Sequence, residues 1–146
     1  MQNPCSKLND LLNGIESNCD PTVGSPECTQ FSLDCLALIR HKLPPIAQEG
    51  ISVVRDYYEG RVPLQVVADT LTKCWQYLDQ HHKNVPFAET AVSAIRAVIF
   101  PLSAQTNPQD KDIVDHLSLF LKFVNNVEPH YEEEESLLRT HFSKCL

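Results

Sequence analysis

The sequence has little glycine, few basic side chains and no long apolar run. Four glycines occur in 146 residues, and the chain carries neither a glycine-rich phosphate loop nor the GxSxG pattern of a serine hydrolase. Nowhere do about 18 apolar residues follow one another, and the first residues lack the basic and apolar segments of an export signal. These absences argue against a P-loop NTPase, a hydrolase of that type and a membrane protein. They predict a soluble protein of the cytoplasm.

Positive charge is scarce. Twelve Lys and Arg stand against nineteen Asp and Glu, for a formal net charge of −7. Because nucleic-acid affinity comes largely from cationic side chains, this balance predicts no nucleic-acid partner and fits a basic protein partner better. The hydrophobic share of 42% and the length are typical of one globular domain, so we expect a single domain over residues 1–146.

The chain contains six cysteines without a CxxC pair: Cys5, Cys19, Cys28, Cys35, Cys74 and Cys145. Their spacings fit no zinc ribbon or finger. In a cytoplasmic protein we expect thiols that pack like small apolar residues. One alternative stays open, because a disulfide between Cys19 and Cys28 would close a short Pro/Gly loop in an exported protein.

Apolar residues recur at helical spacing from end to end, as Leu8, Leu12 and Ile15 do in the first helix. Prolines and glycines separate successive segments, and no stretch alternates with period two, so no sheet is predicted. Six or seven helices with short connections predict an all-α fold, a compact bundle of mostly antiparallel helices.

The stretch EGRVPLQVVADTLTKCWQYLDQHH forms the fourth of these helices, with Pro63 in its first turn. Its apolar stripe includes Cys74 and Trp75, which are therefore predicted to be core residues rather than reactive groups. His81 and His82 mark its C-terminal end, where cationic side chains are favourable. Without a catalytic motif, the chain is not expected to be an enzyme.

The fifth segment, residues 87–102, is apolar nearly all round, which is typical of a helix surrounded by others. Its one basic residue is Arg96. Because an unpaired buried charge is costly, we expect Arg96, like Arg61, to form a structural ion pair. The candidate carboxylates are Asp34, Asp56, Glu59 and Asp69. The alternative is that these arginines line a pocket for an anionic ligand.

Carboxylates are concentrated in the segment EPHYEEEE. We predict that its last four form a contact surface for a basic partner: Glu132, Glu133, Glu134 and Glu135. A simpler interpretation is that they only complement the positive end of the helix dipole.

A metal site is the alternative for the same region. His130, Glu134 and His141 stand at i, i+4 and i+11, and imidazole with carboxylate suits zinc or iron. No HExxH motif accompanies them, so the prediction is that no metal or other cofactor is bound.

Three segments, EGR at 59–61, CWQYLD at 74–79 and AIRAV at 94–98, resemble small all-helical bacterial proteins similar to predicted immunity proteins of polymorphic toxin systems. The resemblance implies a cytoplasmic protein that binds and blocks a toxin and has no catalytic residues. The leading hypothesis is therefore a non-enzymatic protein-binding module that acts as an immunity protein. The alternative is a small-molecule or metal-binding helical protein, or an enzyme. Wide apolar faces on the second and sixth helices also predict a homodimer.

Overall fold

Seven α-helices make up the part of the chain that the computed structural model describes, residues 3–81 and 89–146. They are α1 (Pro4–Cys19), α2 (Pro26–Leu38), α3 (Pro45–Tyr58), α4 (Leu64–His81), α5 (Glu89–Thr106), α6 (Ile113–Val127) and α7 (Tyr131–His141). Short 3-10 helices, Arg40–Lys42 and Ser143–Cys145, follow α2 and α7. Within these ranges there is no strand, so the predicted all-α bundle is confirmed.

Local signals explain where the first helices begin and end. Each of α1, α2 and α3 has a proline in its first turn, where the missing N–H has no helical partner to lose. Asn3 and Ser25 cap α1 and α2 by accepting hydrogen bonds from the backbone N–H groups of Cys5 and Cys28. After α3 the chain turns at Gly60, whose φ of 77° is free of strain only for glycine.

Helix α5 lies at the centre of the bundle and packs against α2, α3, α4 and α6. It buries residues on most sides, as predicted: Ala94, Ile95, Ala97, Val98 and Leu102. The approach of α3 is close, because a Cβ added at Gly50 would collide with the side chain of Val98. A central helix of this kind brings its side chains to the seams between its neighbours.

Helix α5 also ends later than the sequence indicates. It continues through Pro101 to Thr106, one turn beyond the predicted end at residue 102. The side chain of Gln105 donates hydrogen bonds to the Pro101 carbonyl at 3.3 Å and to Thr29 Oγ1 at 3.1 Å. These contacts hold the last turn against α2.

The remaining helices build up around this centre. Consecutive helices from α3 to α6 lie side by side, as short connections predict for antiparallel neighbours. On the other side, α1 packs against α6 and α7, and α7 packs against α2. The rings of Phe31 and Phe142 meet edge to face with centroids 6.2 Å apart. No helix in the described ranges is long and apolar enough to cross a membrane.

The prediction that Trp75 is a core residue is wrong. Trp75 is 49% exposed, and Leu64, on the same predicted stripe, is 43% exposed, whereas Cys74 is buried as predicted. Helix α4 packs mainly against α3 and α5, and the surface that these two cover is narrower than the apolar stripe. The expectations for the His81 side chain, for His82 and for a fifth helix that begins at residue 87 lie outside the described residues.

The expectation that every cysteine is a free thiol is also wrong. Cys19 at the end of α1 and Cys145 in the last 3-10 helix form a disulfide, with Cα atoms 5.6 Å apart. The alternative bond to Cys28 does not form, because Cys28 is a free, buried thiol on α2. Asn18 reinforces the closure, since its Nδ2 donates to the Cys145 carbonyl at 2.7 Å. A disulfide is typical of oxidising compartments, which is at odds with the expected cytoplasmic location.

A thiol count tests this bond. We expect denatured, unreduced protein to show four thiols and reduced protein six. Replacing both residues, Cys19→Ser with Cys145→Ser, frees the unfolded chain from a closure across 126 residues and should lower the free energy of unfolding by about 2–4 kcal/mol. The control is Cys5→Ser, at an exposed thiol, with an expected change within about 0.5 kcal/mol. Finding all six thiols without reduction contradicts the assignment.

Candidate functional site

The acidic segment at the start of α7 does not form one open surface. Glu134 is fully buried, so its predicted role in partner contact is wrong. Glu135 is half-buried and pairs with Lys7 and Arg139, at 3.0 Å each. The exposed carboxylates that remain are Glu132 and Glu133. The predicted contact surface is thus reduced from four carboxylates to two.

Burial gives Glu134 unusual electrostatics. Its Oε1 accepts a hydrogen bond from Asn125 Nδ2 at 2.8 Å, but Oε2 has no hydrogen-bond partner among the described residues. Removal from water disfavours the charged form and raises the pKa of this carboxyl to about 7. A signal was present in the sequence, because Glu134 lies one helical turn before the buried Leu138 on the apolar side of α7.

The residues of the metal alternative do not converge on one point. His130 Nε2 lies 2.7 Å from Glu128 Oε1, and His141 Nε2 lies 2.7 Å from Asp34 Oδ2 on α2. The two histidines thus meet different carboxylates, and Glu134 pairs with the side-chain amide of Asn125. The described ranges hold no group of three or more side chains that could ligate a metal. The geometry does not support a metal site at His130, Glu134 and His141.

Glu128, the first carboxylate of the acidic segment, has a structural role. It binds Lys42 at 3.0 Å, His130 at 2.7 Å and His41 at 3.3 Å. Hydrogen bonds from Lys42, first, and from the two histidines lower the pKa of Glu128 to about 2. It joins the 3-10 helix after α2 to the turn between α6 and α7.

The two arginines have different surroundings. Arg61 lies in the turn before α4 and forms ion pairs with Glu59 at 3.0 Å and Asp56 at 3.8 Å. Its side chain is 69% exposed, so solvent screens these pairs and they add little stability.

Arg96 on α5 is half-buried, and it forms no ion pair with any carboxylate in the part of the chain that the structure describes. Its guanidinium lies over the ring of Phe123, with Cζ 5.8 Å from the ring centroid. A cation over an aromatic face gains about 0.5–1 kcal/mol, less than a buried guanidinium loses by leaving water. The ion pair expected for Arg96 is therefore absent from the described residues, and the alternative of a pocket becomes the better interpretation.

A pocket of about 280 Å³ lies between α4, α5 and α6, and we call it the α4–α6 pocket. It is lined by Trp75, Arg96, Ile99, Phe100, Ser103, His116 and Phe123. The four residues from α5 stand at i, i+3, i+4 and i+7 and so share one face of that helix. With Trp75 half-exposed, the pocket combines an accessible aromatic ring with a guanidinium that pairs with no carboxylate among the described residues.

Aromatic contacts around Phe100 shape the pocket. Its ring meets His116 edge to face at 5.2 Å and Phe120 at 6.3 Å, and it lies 6.1 Å from Phe123. Burial lowers the pKa of His116 to about 4, so this imidazole is neutral at pH 7. Arg96 is thus the one charged side chain among the described lining residues.

A larger cavity of about 400 Å³ lies between α1, α6 and the start of α7. Its lining is mixed, with leucines such as Leu8 and Leu121 beside polar residues such as Asn9 and Asn125. The cation there, Lys122, is exposed, so it gains less from meeting a ligand than the half-buried Arg96 does. The smaller pocket is therefore the better candidate site.

The chain matches no protein-family model, and neither the curated proteins nor the solved structures contain a significant match. The resemblance to predicted immunity proteins therefore stays a prediction.

The buried carboxyl of Glu134 predicts a measurable pH dependence of stability. Below pH 4.5 it is protonated in both folded and unfolded chains, and between pH 4.5 and about 7 the unfolded chain alone loses the proton. The free energy of unfolding of the wild-type protein, compared with that of Glu134→Gln, should therefore fall by about 3 kcal/mol as the pH rises through this window.

Urea unfolding at about pH 5 and about pH 8 measures this difference. The control is Glu132→Gln, which removes an exposed carboxylate of the same helix and should parallel the wild-type protein at both pH values. If the free energy of unfolding changed equally between the two pH values in the wild-type protein and in Glu134→Gln, the raised pKa would be contradicted.

Proposed function

We propose that the protein is a non-enzymatic protein-binding module whose contact with its partner centres on the α4–α6 pocket. The observation that carries the proposal is Trp75, 49% exposed beside a pocket that holds Arg96. Tryptophan and arginine are the residues that most often supply affinity at the centres of protein interfaces. An indole left half in water on a surface helix gains free energy when a partner covers it.

The ionisable groups support binding rather than catalysis. Burial raises the pKa values of Cys28 and Cys74 to about 11 and raises the pKa of Cys35 well above its usual value, so these thiols are poor nucleophiles at pH 7. His116, in the pocket itself, is held neutral by burial.

The net charge of this chain indicates that the proposed partner is positively charged. A net charge of −7 attracts a basic protein over long distances and mainly accelerates association. The exposed Glu132 and Glu133 contribute to this attraction, but α7 packs against α1 and α2 rather than beside α4. We therefore assign affinity to the pocket and long-range attraction to the acidic surface as a whole.

The most specific form of the proposal is an immunity protein that binds and neutralises a basic toxin in a bacterial cytoplasm. Its support is the resemblance of residues 59–61, 74–79 and 94–98 to that group. The disulfide between Cys19 and Cys145 counts against a cytoplasmic location. If the bond is intact in cells lysed into a thiol-blocking reagent, the location part of the proposal falls and an exported protein is favoured.

A homodimer has less support from the structure than from the sequence. On α6, Leu119 is the one large apolar side chain that stays exposed, since the others pack within the chain or lie half-buried. The wide apolar face that predicted self-association is thus largely used inside the protomer.

Growth rescue tests the proposal. Cells that produce this chain together with a toxin encoded beside its gene should grow. In the purified complex, Trp75→Ala should weaken the affinity for that toxin at least about tenfold, because truncating a central interface tryptophan costs about 2 kcal/mol or more.

The matched control is Leu119→Ala, which removes a side chain that is 45% exposed on α6 and outside the pocket. Leu119→Ala should still rescue growth and bind the toxin with wild-type affinity. Both variants should unfold at the wild-type temperature. An unchanged affinity in Trp75→Ala, or failure to block any neighbouring toxin, would refute the corresponding part of the proposal.

A further inference from the structure

We propose that the α4–α6 pocket accepts a carboxylate carried on an aromatic or branched apolar group, and that Arg96 binds this carboxylate. The inference rests on the proposed function for the carrier, which is the C-terminal residue of the protein partner, since its α-carboxylate is the one that stands beside an aromatic or branched apolar side chain. The chemistry follows from the lining of the pocket.

The first reason is the state of the guanidinium. Arg96 is half-buried, and among the described residues its guanidinium meets the ring of Phe123, whereas buried arginines usually meet a carboxylate. A ring compensates charge but accepts no strong hydrogen bond, so the five N–H donors of the guanidinium are not satisfied by it. Carboxylates match the spacing of these donors with two parallel hydrogen bonds.

The second reason is the charge of the pocket. Arg96 supplies one positive charge, and His116 is neutral at pH 7. A phosphate group carries a charge of about −1.5 to −2 and would remain partly uncompensated in a protein of net charge −7. A single carboxylate is balanced by the single guanidinium.

The third reason is the size and lining of the pocket. About 280 Å³ is room for about nine water-sized groups, which corresponds to one large side chain. Apart from Arg96, Ser103 and His116, the lining is aromatic or branched aliphatic. An aromatic ring in this space can meet Trp75 and Phe100 in offset or edge-to-face geometry, which favours an apolar body over a polar one.

The chain offers a direct optical probe of this site. Trp75 is its single tryptophan, so intrinsic indole fluorescence reports on the pocket alone. Titration with phenylacetate should change the emission saturably. Phenylacetamide, which has the same ring and no charge, should bind at least about tenfold more weakly, because hydrogen bonds to charged groups are the stronger ones.

Two arginine variants separate the pocket from general charge effects. Arg96→Met keeps an apolar side chain over the ring of Phe123 but removes the charge, so this variant should lose the preference for phenylacetate over phenylacetamide. Arg61→Met removes an exposed arginine outside the pocket and should keep that preference. Equal affinity for the two probes, no saturable change with phenylacetate, or an unchanged preference in Arg96→Met would each overturn the inference.

The outcomes also separate the inference from the proposed function. If phenylacetate fails to bind while Trp75→Ala still weakens the partner complex, the carboxylate inference falls and the protein-binding proposal stands. If phenylacetate binds through Arg96 but Trp75→Ala binds the partner with wild-type affinity, the pocket is a carboxylate site and the protein-binding proposal is wrong.

Discussion

Burial of α5 among four other helices is the constraint on which the rest of the structure depends. A helix that is covered on most sides has to be apolar on most sides, and a small residue on a neighbouring helix allows close approach, as where Gly50 of α3 meets Val98 of α5. A polar side chain on such a helix has only two favourable arrangements. It reaches the surface at a seam between two neighbours, or it needs a partner inside the bundle.

Arg96 reaches the surface at such a seam, and its guanidinium therefore becomes part of the α4–α6 pocket. At the seam between α4 and α6 its neighbours in the described part of the chain are rings rather than carboxylates, with Phe123 beneath the guanidinium. Trp75 stands half-exposed beside it because α4 is covered on a narrower face than its apolar stripe. The same packing that makes the bundle stable therefore leaves an arginine and a tryptophan together at the surface, where they are available to a ligand.

Much of the fold was predictable because its signals are local. Prolines in first turns and apolar spacing predicted the helices, and the all-round apolar pattern of residues 87–102 predicted the helix that the others surround, α5. Periodicity shows which residues share a face but not which faces are covered. For this reason a tryptophan expected in the core is exposed, and Glu134, expected at the surface, is buried.

The candidate site depended on contacts between helices distant in sequence, and these could not be predicted. Spacing placed Arg96 and Phe100 on one face, but nothing local showed that Phe123 rather than a carboxylate would meet the guanidinium. The disulfide was missed for the same reason, since 126 residues separate Cys19 from Cys145. One feature follows from how α5 lies against α6 and the other from how α1 lies against the last 3-10 helix, and no single segment of the sequence contains either arrangement.

The central claim is that the charge of Arg96 serves binding rather than stability, and the free energy of unfolding of Arg96→Met tests it most directly. If the guanidinium has only the ring of Phe123 as its partner, urea unfolding should change by about 1 kcal/mol or less, which is the size of a cation–π contact. A loss of about 3–5 kcal/mol is the cost of breaking a buried ion pair, and it would contradict the account.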